Sequence, residues 1–284
     1  MNSQDPVSPT IVFTENAQVP KLLLEDIDLD IISSAAINIK YSVITKVKTA
    51  ALTFYTISNS DSTRAQIGNV CNAVSGMLKL YNYTQKFTMT YLLLDVPKLY
   101  DPNSTETVAS RQFINSGYTD TDAHAICIFR VQEVAKVTIH ELIHLFNQDH
   151  ACHGASNNSL CATSVHSPQE AYTEFLARLI YSLWTGSDIQ KQFHFTLHQA
   201  AKILHHSGWK QWNSKCMLQE TYAFEYYVQS AALMWTMATQ QFNPFTRNYE
   251  QQIENGMKDK NFRNTIEVLL ACSVFDNDLR MTLP

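Results

Sequence analysis

Seven glycines and eight prolines in 284 residues leave little material for flexible linkers. The chain therefore reads as one large domain or two closely packed lobes, not as modules on a string. Long apolar runs are also missing. The longest, Ile266 to Phe275, contains Glu267 and is far shorter than the roughly 20 residues that a membrane-spanning helix needs. Positive charge is not in excess: 21 Lys and Arg stand against 26 Asp and Glu, for a net charge of −5. That balance excludes nucleic acid and anionic membrane as main partners. The first 20 residues carry Asp5 and Glu15, no early Lys or Arg, and no apolar stretch of signal-peptide length. They read as a loose polar lead, and the expected location is cytoplasmic. Six cysteines, mostly far apart, are then expected as reduced thiols and not as a disulfide framework. The sequons at Asn82, Asn103 and Asn157 are expected to go unused.

What is present is ample core material, with 45% hydrophobic and 17% charged residues. Residues 41–57 are rich in β-branched and aromatic side chains and predict strands. Between Ser62 and Leu80, Ile67, Val70, Cys71, Val74, Met77 and Leu78 recur at helical spacing. Phe87, Met89, Tyr91 and Leu93 alternate with their neighbours as in a half-buried strand. Ala125–Val131 predicts a second short strand, and beyond it the pattern is helical almost to the end. Residues 21–36 are ambiguous between helix and strand. The expected class is α+β: a flexible lead at 1–20, an N-terminal α/β subdomain at 21–131, and a helical, metal-binding subdomain at 132–284.

The most informative segment lies just past that boundary. Residues 140–144 read His-Glu-Leu-Ile-His inside VAKVTIHELIHLF, a run without Gly or Pro and strongly apolar. It predicts a buried helix. Residues four apart share a helical face, with side chains about 5–6 Å apart, so His140 and His144 can both reach one Zn²⁺. Glu141, beside the first histidine, is placed to act as a general base on an attacking water. Satisfied core histidines are the bland alternative. Against it stands the cost of burying three ionisable groups in an apolar helix without partners.

This motif in this setting resembles the zincin metallopeptidases, specifically over about 15 residues and vaguely elsewhere. The resemblance implies an active-site helix behind a small sheet whose edge strand binds extended substrate, with 87–93 or 125–131 as candidates for that edge. It implies one zinc ion, a protein or peptide substrate, and a third ligand besides the histidines. One candidate is Glu170. Ser167-Pro168 opens a helix in which Glu170 and Glu174 stand one turn apart, and EAYTEFLA resembles the second element of the gluzincins, such as thermolysin and the related aminopeptidases. Glu170 would then be the ligand and Glu174 the acid that orients a ligand histidine, or Glu174 would itself bind the metal. A capping box with Ser167, or two solvated carboxylates opposite an apolar face, is the bland reading. The rival is His150. HELIHLFNQDH has metzincin spacing, with Asn147 at the glycine position that requires a left-handed turn, as in the secreted metalloproteases with thrombospondin repeats. Met217 is the nearest candidate for the downstream Met-turn that metzincins need. A looser likeness to metallopeptidases of large DNA viruses, over 115–119, IFRVQEVAKVTIHELIH, EAYTEFLA and 224–231, favours Glu170.

By the same analogy Tyr222, Tyr226 or Tyr227 would stabilise an oxyanion, with Tyr227 preferred. Aromatic core is the bland reading for each. His150, Cys152, His153, Cys161 and His166 cluster after the motif, as a loop by default, with a structural zinc or a Cys152–Cys161 disulfide as lesser readings. His194 with His198, and Lys202 with His205, share helical faces without an acidic partner in view, and are expected at the surface or in a groove. The leading expectation is zinc-dependent peptide hydrolysis. A metal-binding or virion-associated protein that keeps a zincin fold without activity is the alternative. Neither substrate specificity nor oligomeric state is legible.

Overall fold

The computed structural model describes residues 11–19, 38–103, 108–148, 167–212, 217, 219–240, 242–245 and 248–283. The ambiguous segment 21–36 lies outside them. The chain is α+β, with a mixed sheet near its N-terminus and helices from Val134 onward. Six strands, β1 (Thr14–Glu15), β2 (Tyr41–Val47), β3 (Ala50–Thr56), β4 (Phe87–Leu93), β5 (Gly117–Asp120) and β6 (Ala125–Ile128), lie in the order β1-β2-β3-β4-β6-β5. β2 and β3 form an antiparallel hairpin whose turn residue Lys48 takes a positive φ of 51°. β3, β4 and β6 run parallel, and β5 closes the order antiparallel to β6.

Helix α1 (Asp61–Leu80) provides the crossover from β3 to β4, as a parallel pair demands. It starts where Ser60 accepts a hydrogen bond from the Thr63 amide, and it buries Ile67, Val70, Cys71, Val74, Met77 and Leu78, the predicted stripe. Cys71 is a free thiol pushed up to about 11 by burial, which marks it as packing material and not as a nucleophile. Cys127 and Cys272 form no disulfide among the described residues either. The expectation of a wholly loose lead needs correction at residues 14–15. They pair with β2, and nearby Phe13 packs edge-on against Tyr41 and under the Arg64 guanidinium.

The chain forms two compact units. One takes the described residues up to Pro97 together with Ser116–Phe146; the other takes Lys98–Asn115 and the described residues from Asn147. The helix carrying the HExxH motif, α3 (Val134–Leu145), thus groups with the sheet, where the sequence reading attached it to the helical part. β6 leads into it within a few residues, and it packs on α1, β5 and β6.

The second unit contains the short helix α2 (Arg111–Ile114), then α4 (Pro168–Thr185), α5 (Ile189–His206), a π-helical turn (Glu225–Gln229) running into α6 (Ser230–Gln240), α7 (Tyr249–Lys258) and α8 (Lys260–Cys272). A Cβ on Gly256 of α7 would come within 2.5 Å of the Ala232 carbonyl, so only glycine allows α7 this close to α6. After α8 the chain returns as an extended strap. Its backbone carbonyls accept from side chains on one face of α5: Gln192 bonds Met281, Gln199 bonds Asp278 and Arg280, and Lys202 bonds Asp278. Lys202 also pairs with Asp276 at 2.6 Å, the acidic partner that was not visible in the sequence. Lys202 is therefore buried, whereas His205 is exposed as expected. His194 and His198 line an open groove with Lys191, Leu197, Leu269 and Leu283.

Candidate metal centre

Helix α3 is buried at eleven of its twelve positions, as an apolar run without Gly or Pro predicts. It begins without a side-chain cap, after Glu133 in the left-handed region at φ 61°. Polar Thr138 is accommodated by donating to the Val134 carbonyl at 2.8 Å and sharing a 3.2 Å bond with the buried Tyr91 hydroxyl. At its far end Phe146 stacks on Tyr83 with ring centroids 4.1 Å apart, which fixes the last turn. Asn147 follows at φ 56°, in the left-handed region that the sequence reading expects of it.

Within this frame the four-residue spacing puts the two imidazoles together. The Nε2 atoms of His140 and His144 are 3.1 Å apart, and the rings meet at 71°. His140 is 7% exposed and Glu141 6%, so the motif is buried but not sealed. Glu141 faces the sheet. Thr119 of β5 places its hydroxyl 2.7 Å from Glu141 Oε2 and 3.1 Å from the Glu141 carbonyl. Gly117, two residues back on the same strand face, leaves the other carboxylate oxygen room: a Cβ there would sit 3.3 Å from Oε1.

Glu170 lies in the first turn of α4, after Pro168 at the helix start. The Ser167 side chain makes no cap bond, so the capping-box reading fails and the Glu170 amide bonds the Ser167 carbonyl instead. His140, His144 and Glu170 each offer one ligand atom, and these atoms all lie within 4.8 Å of one another. This is the one such group among the described residues, and it can hold a metal ion.

Glu174 is not part of it. At 1% exposed it is not solvated either; it accepts from Arg178 Nε at 2.8 Å, and Arg178 is wholly buried. The Arg178 guanidinium reaches on to the Tyr226 carbonyl at 2.9 Å and the Ser230 hydroxyl at 3.2 Å. Tyr227, the preferred oxyanion donor, is buried and spends its hydroxyl on the Leu279 carbonyl in the strap, which removes it from that role. Tyr222 is half-buried; burial first, then the charges of Glu170 and Glu225, hold its phenol above the usual range. Tyr226 packs edge-on against Tyr222. His150, Cys152, His153, Cys161 and His166 lie outside the described residues, and Met217 is buried.

Two corrections concern the sheet. Neither 87–93 nor 125–131 is its edge: β4 is central and β6 is covered by β5. Among the described strands the last in the order, and the one that packs on α3, is β5, which sequence patterning missed along with the contacts of Gly117 and Thr119 to Glu141. The available signal was their two-residue spacing in Gly-Tyr-Thr, which is the period of a strand face. No protein-family model, curated protein or solved structure matches the chain.

Proposed function

We propose that the chain is a zinc-dependent metallopeptidase, with His140, His144 and Glu170 as metal ligands and Glu141 as the general base. The observation that carries this reading is that two imidazole nitrogens and a carboxylate oxygen lie within 4.8 Å of one another, with the Glu141 carboxylate on the helix of the two histidines. Two histidines and a glutamate form a known catalytic zinc set, and nitrogens bound tetrahedrally at about 2.0–2.1 Å stand roughly 3.3 Å apart. The observed 3.1 Å fits that separation.

Zinc bound there would acidify a water and polarise the substrate carbonyl. Glu141 takes the proton of the attacking water and passes it to the departing amine. The bond from Thr119 uses only one of the acceptor sites that a carboxylate offers, which leaves others for that proton. Substrate would lie in the open groove that Tyr118, Thr119 and Asp120 of β5 line with Thr121, beside the Glu141 carboxylate that Thr119 contacts. With Tyr227 engaged elsewhere, Tyr222 or Tyr226 would be the donor to a developing oxyanion.

Glu141→Gln keeps the size of the side chain and removes its basicity. Zinc content should stay at the wild-type level while peptide hydrolysis falls by about 10²–10⁴. Undiminished hydrolysis by this variant would sink the mechanism.

A further inference from the structure

We infer that Thr119 is a positioning residue for Glu141, and that strand β5 is shaped to hold that carboxylate. This deepens the proposed function and rests on it for the role of Glu141. The contact itself lies wholly within the sheet-containing unit.

Three observations carry the inference. First, the hydroxyl of Thr119 has one proton and two acceptors within reach, both on Glu141: Oε2 at 2.7 Å and the main-chain carbonyl at 3.1 Å. The shorter of the two goes to the side-chain carboxylate, not to the main chain. A threonine that merely anchored the helix would need only the carbonyl. Second, the position two residues earlier on the same strand face is glycine. A Cβ at Gly117 would meet the Cys127 carbonyl at 2.8 Å, Ile128 Cγ1 at 3.0 Å and Glu141 Oε1 at 3.3 Å. The strand thus gives one carboxylate oxygen a donor and the other free space. Third, Glu141 is 6% exposed, so few waters compete for these oxygens and the donor that β5 supplies dominates their orientation.

A glutamate has three side-chain torsions, and a base that wanders among them spends much of its time out of reach of the proton it must take. Fixing one oxygen restricts those torsions before substrate arrives. The role belongs to the hydroxyl, not to the bulk of the side chain, and it acts on the chemical step, not on substrate affinity.

The test compares Thr119→Val, which keeps the shape, with Thr119→Ser, which keeps the hydroxyl, in the full zinc-loaded chain. Crystal structures of each variant serve as a readout independent of activity. Thr119→Val should lower kcat by about ten- to a hundredfold with KM within about twofold. Its Glu141 side chain should leave the wild-type rotamer, while zinc content stays the same. Thr119→Ser should restore the rotamer and most of kcat. If Thr119→Val does not fold, Thr119→Ala takes its place. A Glu141 side chain that stays in place without the hydroxyl overturns the inference, and so does an equal loss of kcat in the serine variant. If the wild-type chain hydrolyses no peptide, the proposed function fails, and the rotamer comparison still decides whether Thr119 holds Glu141.

Discussion

Glu170 and Glu174 stand one helical turn apart, yet their surroundings differ in kind. Glu170 converges with two histidines, while Glu174 is locked to Arg178 with both side chains essentially buried. A buried pair of this sort contributes little net stability over an apolar replacement, but removing one partner is costly. Arg178→Ala should therefore destabilise the fold by about 3–5 kcal/mol, because Glu174 loses its guanidinium and the Tyr226 carbonyl and Ser230 lose a donor. Denaturant unfolding of the variant against wild type measures this; a change below about 1 kcal/mol would show that the pair is not held as described. At this scale the sequence was legible wherever a local period fixed the geometry. His140 and His144 meet because they are four apart on a helix, and Glu170 enters through the resemblance of EAYTEFLA to a gluzincin element, on a helix that Ser167-Pro168 opens. Arg178 was passed over because four-residue spacing equally describes an ordinary solvated pair, and nothing local says that both partners are buried. Thr119 was passed over because its partner lies 22 residues away on another element.

Elements were legible in proportion to their length and regularity. α1, α3 and α4 carry clean helical patterns, and β4 alternates over seven residues. β5 is only four residues, Gly-Tyr-Thr-Asp, and glycine and aspartate are depleted in strands; its existence depends on pairing with β6. The strap after α8 has no repeating structure and is defined by what α5 offers it. Its hold on α5 should weaken in acid. Burial keeps His198 and His206 below their ordinary value of 6.5, with the Lys202 charge adding to the effect. The unfolded chain therefore takes up protons first as pH falls past 6.5, and the stability these neutral histidines contribute declines from there towards their depressed values. Asp276 is held below its ordinary 3.8, chiefly by the hydrogen bond from Lys202, so its contribution is present above 3.8 and is lost as pH falls through its lower folded value. Since Asp276 is largely exposed, the histidine window should be the larger. Hydrogen exchange of the Asp276–Leu283 amides, corrected for intrinsic rate, should speed up between pH 7 and pH 5 relative to the core of α1. Equal protection across that range would refute the assignment.

For the whole molecule, a metal held by His140, His144 and Glu170 would link metal binding to stability. A ligand that binds only the folded chain stabilises it by about 2.7 kcal/mol when present at a hundred times its dissociation constant. Chelation should thus lower the melting temperature by several degrees, and one equivalent of zinc should restore it. Among the described residues no helix is long and apolar enough to cross a membrane. The same titration separates the two branches that the sequence left open. Glu170→Gln keeps the shape and removes the charge. If Glu170 is the third ligand, zinc affinity should fall by more than the 10–100-fold typical of residues that only orient a ligand. His150→Ala should then leave affinity and stabilisation unchanged. The reverse pattern would move the third ligand to His150 and the chain to metzincin-like coordination. The geometry favours the first outcome, because Glu170 already brings a carboxylate oxygen within 4.8 Å of both imidazole nitrogens. The sequence could not decide this, because it places a histidine six residues and a glutamate 26 residues beyond His144, and linear spacing alone does not say which of them the fold returns to the helix.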